Sequence, residues 1–418
     1  MRKGWCPSLL TPMASGDGFL ARVKPTAATV SAEAARALAE AAQRYGNGLV
    51  DVTNRSNLQF RGFSPDGIAP FADVVFRHGL AHDSAPVEQV RNVAASPLGA
   101  DDPTATFGAH RAARAIEAML AMSPELFALP GKFGFSVDGG GALPLGDVGA
   151  DVLFVPGSSG VAVRVAGAPL MADCAEEDVP AVARALALAF LDLAKARSDP
   201  PRRMRHLVDA VGAEAVFRHA GLAPVGKGTP VGRPAPRIGY GDLAGGSGFF
   251  LAGVAFGALE AGALSRLADL AEDFEDGTIR LTPWRSLVLV GIAAEAADAV
   301  AEGVAAAGLI TDPADPRLAM VACSGTPACE SATAATRVDA ARIAASGVLD
   351  GLSGTTLHVS GCAKGCAHPR PAAVTLAGRN GAYDVILNGR ADAAPHFTGL
   401  DVEGVIAVLA TAPWSKPR

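Results

Sequence analysis

The sequence predicts an α+β fold in which one strand–helix–strand unit occurs twice and two further α/β lobes complete the chain. Three observations carry that expectation. Extended and helical periodicities alternate along the 418 residues, half of the residues are hydrophobic, which is enough for several cores, and the N-terminal pattern returns about 230 residues later. The formal charge of −6 and a pI near 5.8 argue against a nucleic-acid or anionic-membrane binder, so any anion site must be built locally. "MRKGWCPSLLTPM" lacks the apolar stretch and cleavage site of a secretory signal, and the longest weakly charged run, 243–264, is broken by Glu260. The expected compartment is the cytoplasm, where thiols stay reduced.

Taken in order, "GFLARVKP" is apolar and extended. "SAEAARALAEAAQRYG" has helical spacing behind an N-cap at Ser31, "GLVDVTNRSNLQFRGF" alternates like a strand, and "IAPFADVVFRHGL" resumes the helical period. Residues 246–292 repeat strand, helix and strand. There "TIRLTPWRSLVLVGI" echoes "LVDVTNRSNLQFRGF", with Thr282 and Arg285 in the places of Thr53 and Arg55. Between the copies lie the helical "ATFGAHRAARAIEAMLAMSPE", the strand-like "KFGFSVDG" and "ADVLFVPG", and an alanine-rich helix over 179–197. "PVGKGTPVGRPAPRIG" has no periodic apolar face and reads as a linker. The expected divisions are a first half-domain over 1–84, a lobe over 85–223, the linker over 224–239, a second half-domain over 240–312 and a second lobe over 313–418.

Chemistry concentrates in that last lobe. Cys323 and Cys329 form a C-x5-C in "VACSGTPACES", and Cys362 and Cys366 form a C-x3-C in "SGCAKGCAH". Four thiolates are what one cubane iron–sulfur cluster requires. If the second pair opens a helix, positions i and i+4 share a face. Zinc is the first alternative, although structural zinc prefers shorter loops, and two disulfides are opposed by the compartment. Cys6 and Cys174 have no such neighbours and read as small buried residues. His78 and His82, with Asp83 adjacent, sit four positions apart in a helical stretch, a spacing that suits a metal but more often a solvated face. His368 reads equally as a donor to the cluster or a loop residue.

The C-x5-C followed by "GC-x2-GC" resembles the cluster signature of the sirohaem-dependent nitrite and sulfite reductases, and the duplication resembles that superfamily across nearly the whole chain. The resemblance implies a nitrite/sulfite reductase-like fold in which two ferredoxin-like half-domains form one pseudo-twofold unit. It also implies a 4Fe-4S cluster on Cys323, Cys329, Cys362 and Cys366, with Cys366 facing the tetrapyrrole. "LARVKP", "VRNV" and "LPGKFGF" resemble the segments that carry the anion-binding Arg22, Arg91 and Lys132. "TNRSNLQFRG" resembles the one whose Arg55 holds a tetrapyrrole carboxylate.

Departures narrow the branch. Gly134 and Gly131 stand where the reductases carry a second lysine and an arginine, Asp51 where they carry an arginine for sirohaem, and Lys364 replaces an asparagine. Losing a cationic donor at developing charge typically costs about 10²-fold or more, which fits an efficient oxyanion reductase poorly. "SGCAKGCAHP" and the short length resemble instead the precorrin-3B synthase branch, in which the tetrapyrrole is substrate. That resemblance implies an oxygen-dependent monooxygenase of aerobic cobalamin biosynthesis acting on precorrin-3A, with O2 as co-substrate. Arg22, Arg55, Arg91, Lys132 and Lys364 would be its substrate-binding residues; Arg22, Arg91 and Lys132 would also steady a reduced oxygen species. The branch is further associated with a mononuclear non-haem iron, whose ligands the sequence does not reveal. No G-x-G-x-x-G precedes a helix, so electrons are expected from a separate ferredoxin or NAD(P)H reductase. Two other readings stay open, a sirohaem-dependent sulfite or nitrite reductase and a non-catalytic iron–sulfur electron carrier.

Overall fold

A computed structural model describes residues 7–146, 148–158, 160–227, 236–243, 246–274, 277–349 and 357–411. Four sheets organise them. The first runs Met13–Ser15, Gly18–Val23, Leu58–Phe63, Leu49–Val52 and Ala258–Glu260, and its counterpart runs Gly239–Asp242, Gly248–Gly253, Ser286–Ile292, Thr278–Leu281 and Thr29–Ser31. Each sheet therefore takes its last strand from the other half of the chain. The divisions expected at 1–84 and 240–312 are corrected in that respect, because the halves interlock through these edge strands.

Helix Ala32–Tyr45 begins where Ser31 Oγ accepts the Ala34 N–H at 3.1 Å, satisfying an otherwise orphaned donor. Its buried stripe, including Ala35, Leu38 and Ala42, packs against helix Ala261–Ala271 and its Leu264 and Leu267, and one apolar cluster spans both halves. Burying such faces is the main source of stability for helices this short.

The stretch expected as one strand over 48–63 is a hairpin, because Thr53 Oγ1 accepts the N–H groups of Arg55 (3.3 Å) and Asn57 (3.2 Å) while Ser56 adopts φ 54°. Thr282 Oγ1 does the same for Trp284 (3.3 Å) and Ser286 (3.2 Å), with Arg285 at φ 58°. The turns thus align Thr53 with Thr282 but Ser56 with Arg285, so the expected equivalence of Arg55 and Arg285 is off by one residue. Other left-handed positions recur at the same interval, Ala27 (50°) with Phe256 (56°) and Gly62 (75°) with Gly291 (78°). A backbone feature that L-residues rarely adopt, repeated in register, is strong evidence of duplication.

The third sheet, Gly226–Lys227, Leu170–Cys174, Gly160–Val165, Val152–Gly157, Phe135–Val137 and Val93–Ala95, is covered by helices Ala109–Ala121 and Val179–Lys195 around a second apolar cluster. The expected linker starts as its edge strand; residues 228–235 lie outside the described residues. The fourth sheet, Met320–Ala322, Leu357–Ser360, Ala372–Arg379, Ala382–Gly389 and Phe397–Leu400, packs against helices Thr336–Ala345 and Val402–Thr411. Among the described residues no helix is long and apolar enough to cross a membrane.

Candidate functional site

Two parallel neighbours place the cysteines. Ala322 lies opposite Val359, so the loops that follow Met320–Ala322 and Leu357–Ser360 leave the same carboxyl edge of the fourth sheet, the usual position for ligand sites in such sheets. The Cys323 N–H donates to Val359 O (3.2 Å), Thr336 Oγ1 donates to Cys323 O (2.6 Å), and the Gly361 N–H donates to Cys323 Sγ (3.2 Å). Cys362 and Cys366 lie in consecutive turns, which corrects the expected helix opening. Gly365 at φ 61° lets this loop fold back onto the sheet.

The sulfurs of Cys323, Cys329 and Cys362 all lie within electrostatic reach of Cys366. Burial pushes the Cys366 thiol up, the Cys362, Cys323 and Cys329 sulfurs push it further, and Lys364 opposes them. A Cys366 thiolate disfavoured by three neighbouring sulfurs fits a group that supplies positive charge to it. Among the described residues no three His, Cys, Asp or Glu side chains gather tightly enough to hold one metal ion. A cubane takes one thiolate at each of its four irons, and Cys323, Cys329, Cys362 and Cys366 are the residues that would hold it. The His78–His82 pair is corrected as well: helix Pro65–Arg77 ends before His78, the two rings share no helix face, and the Ser84 N–H donates to His82 Nδ1 at 3.0 Å. Cys6 lies outside the described residues, and the half-buried Cys174 thiol is pushed up to about 11, mainly by burial.

The first half-domain grips the loop of the first cysteine pair directly. Ala328 O, next to Cys329, accepts from Ser15 Oγ (2.5 Å) and Arg61 Nη2 (2.7 Å). A Cβ on Gly16 would lie 2.2 Å from Pro327 O, so only glycine permits this approach. Arg61 is buried and paired with Asp17 at 3.0 Å and Asp51 at 3.5 Å. Asp51 Oδ1 also accepts from Arg337 Nη2 (2.6 Å), and its Oδ2 from Gln59 Nε2 (3.0 Å).

The expected basic residues separate into four sites. Arg22 joins the Asp51 centre, donating from Nη2 to Gln59 Oε1 at 3.0 Å. Arg55 and Lys132 line one cleft with Asn57, Asn92 and Gly134, and Arg55 Nη2 donates to Lys132 O at 3.3 Å. Lys364 is exposed beside the cysteines, with its Nζ on Ser331 Oγ at 2.7 Å. Arg91 belongs elsewhere. Its guanidinium is buried between Glu88 (2.7 Å) and Glu117 (3.0 Å) and donates to Leu80 O (3.3 Å). The expectation that it binds substrate or oxygen is therefore corrected, since its charge is consumed by two carboxylates inside the fold.

Sequence reasoning missed Arg337 and His358, and it missed the place of Arg285 beside the second cysteine pair. Arg285 Nη2 donates to Ala367 O (3.0 Å), and burial first, then the Arg337 charge, hold its pKa below the usual arginine range. His358 is fully buried, its ring centre is 5.7 Å from that of His368, and burial followed by His368 and Arg285 pushes it down to about 4. The repeat marked Arg285 only as a counterpart of Arg55, and nothing in the spacing marks His358 or Arg337, although Arg337 follows the first cysteine pair closely.

Known proteins agree with this architecture. Residues 11–74 and 244–307 match the nitrite/sulfite reductase ferredoxin-like half domain. A precorrin-3B synthase from a Sinorhizobium species is 31% identical over 94% of this chain and 85% of its own length. A ferredoxin–nitrite reductase from Synechococcus elongatus is 27% identical over 97% of this chain and 86% of its length. The solved NirA protein of Mycobacterium tuberculosis superposes with a TM-score of 0.76 at 22% identity, covering 94% of this chain and 79% of that one, a likeness of fold. With interlocked half-domains, four gathered thiols and these relatives, the chain belongs to the precorrin-3B synthase family of oxidoreductases, within the nitrite/sulfite reductase superfamily.

Proposed function

We propose that this chain converts precorrin-3A to precorrin-3B, working in the cytoplasm with dioxygen and electrons from a separate ferredoxin or NAD(P)H reductase. One oxygen atom enters as the C20 hydroxyl and the other leaves as water, consuming two electrons and two protons, while a ring-A acetate closes onto C1 as a γ-lactone. The observation that carries the reading is the contact of arginines with both cysteine loops, Arg61 on Ala328 O and Arg285 on Ala367 O, in a chain that also has a cleft lined by Arg55 and Lys132.

Cys323, Cys329, Cys362 and Cys366 hold the 4Fe-4S cluster in this reading. Once bound, that cluster supplies single electrons at a potential set by hydrogen bonds and burial. The chain's own residues do the rest. The Gly361 N–H, donating to Cys323 Sγ, stabilises the thiolate's negative charge. Arg55 and Lys132 bind substrate carboxylates, for which a guanidinium fork offers two parallel donors. Arg22, oriented by Gln59, directs positive charge at the reacting face and steadies developing oxyanion character.

Anaerobically prepared protein given precorrin-3A, a reductant and ¹⁸O₂ is expected to yield a product heavier by one labelled oxygen atom. A preparation that instead carries a tightly held iron tetrapyrrole and reduces sulfite with a dye donor overturns the reading in favour of a sirohaem reductase.

A further inference from the structure

Two asparagines line the cleft that contains Arg55 and Lys132, and the fold uses them differently. Asn92 is committed to the chain. Its Nδ2 donates to the carbonyls on either side of Lys132, Phe133 O at 3.1 Å and Gly131 O at 3.4 Å, and the buried Lys24 ammonium donates to its Oδ1 at 2.9 Å. The backbone that carries Lys132 is thereby fixed. Asn57 is committed only through its backbone, whose N–H donates to Thr53 Oγ1 (3.2 Å) and whose carbonyl accepts the Thr53 N–H (2.9 Å). Among the described residues its side-chain amide has no hydrogen-bond partner, although the residue is only 8% exposed and lines the cleft. A buried amide without a partner destabilises a fold, so one that is kept at the wall of a cleft points to a ligand group that pairs with it.

Size and charge indicate which group that is. At about 380 Å³ the cleft is near the lower end of the roughly 300–1,000 Å³ of sites that enclose a whole drug-sized ligand, so it takes one arm of a tetrapyrrole and not the ring. None of its described lining residues is acidic. Asp151 lies behind Gly134 and accepts its N–H at 3.1 Å, but this fully buried carboxylate is already paired with Arg203 at 3.0 Å. An anionic arm therefore meets a guanidinium, an ammonium and an amide. A carboxylate has enough lone pairs to accept from all three.

We propose that Asn57 is a specificity-determining residue, whose Nδ2 donates to the tetrapyrrole carboxylate that Arg55 and Lys132 hold. The two cations attract any anion, whereas the buried amide must be paired at a fixed place, so it selects an arm whose carboxylate reaches that place. This inference rests on the tetrapyrrole reading of the same cleft.

Its test is a fluorescence titration of the cluster-loaded protein with uroporphyrin, an octacarboxylate tetrapyrrole, at low and high salt. Asn57→Ala is expected to bind it about tenfold or more weakly than wild type, the scale of one hydrogen bond to a charged acceptor. Asn57→Asp, nearly the same size but negative, should bind about tenfold more weakly again at low salt and recover part of that loss at high salt. Without ligand, the denaturant midpoint of Asn57→Ala should equal or exceed that of wild type, because the substitution removes an unpaired amide. An excess of acetate, which is the carboxylate without the ring, should not displace the pigment. An Ala variant that binds as tightly as wild type, an Asp variant no weaker than the Ala variant, or a clear fall in the Ala midpoint overturns the role of Asn57 and leaves the tetrapyrrole reading standing. Displacement by acetate also overturns that role, by making the cleft a site for free anions. Wild-type protein that binds no uroporphyrin overturns both.

Discussion

Cys366→Ser is expected to lose the cluster's visible absorbance and to lower turnover by more than about 100-fold, since altering partners of metal ligands already costs about 10- to 100-fold. Its fold should survive. Cys366 lies in a turn at the edge of the fourth sheet, its residue exposed although its sulfur is partly covered, and it belongs to no strand or helix of that lobe. Far-ultraviolet circular dichroism should therefore match wild type while the iron chromophore is gone. A variant that keeps both absorbance and turnover would remove Cys366 from the ligand set and break the four-thiol arrangement.

Arg91→Ala should act on stability before it acts on chemistry. The substitution leaves Glu88, which is fully buried, and Glu117 without their shared cation, and breaking a buried pair from one side typically costs about 3–5 kcal/mol. The loss should depend on pH in a defined direction. Burial raises the Glu117 pKa above its ordinary value, and Arg91 is the first influence that opposes the rise. A carboxyl raised in the folded state gives a contribution that is present below its unfolded pKa and lost as pH climbs through the folded value. Without Arg91 the rise is larger, so the variant's deficit should be smaller near pH 5 than near pH 8. Denaturant unfolding of both proteins at the two pH values checks this. An unchanged unfolding midpoint with weakened tetrapyrrole binding would return Arg91 to the substrate site.

The contrast between these residues shows what the sequence made legible. The four cysteines could be read because their signature is local and the thiolate chemistry is restrictive. Duplication could be read because both copies repeat the same periodicities, and the helix cap at Ser31 needed only its immediate neighbours. The exchange of edge strands could not be read, because Thr29–Ser31 and Ala258–Glu260 are three residues long and carry no usable periodicity. Arg91 matched a pattern, but its meaning depended on Glu117, remote in sequence on another helix. The Asp51 centre was half visible. Asp51 and Arg22 were noticed separately, but Arg285 and Arg337 reach it from the other half and the cluster lobe, and only the folded chain brings them there.

The most direct test is a combined iron, acid-labile sulfide and pigment determination on anaerobically isolated protein. Close to four irons and four sulfides per chain, lost together when any of Cys323, Cys329, Cys362 or Cys366 is replaced, and no tightly retained iron tetrapyrrole are the predicted result. Iron without sulfide, or a firmly bound iron tetrapyrrole in stoichiometric amount, would contradict it.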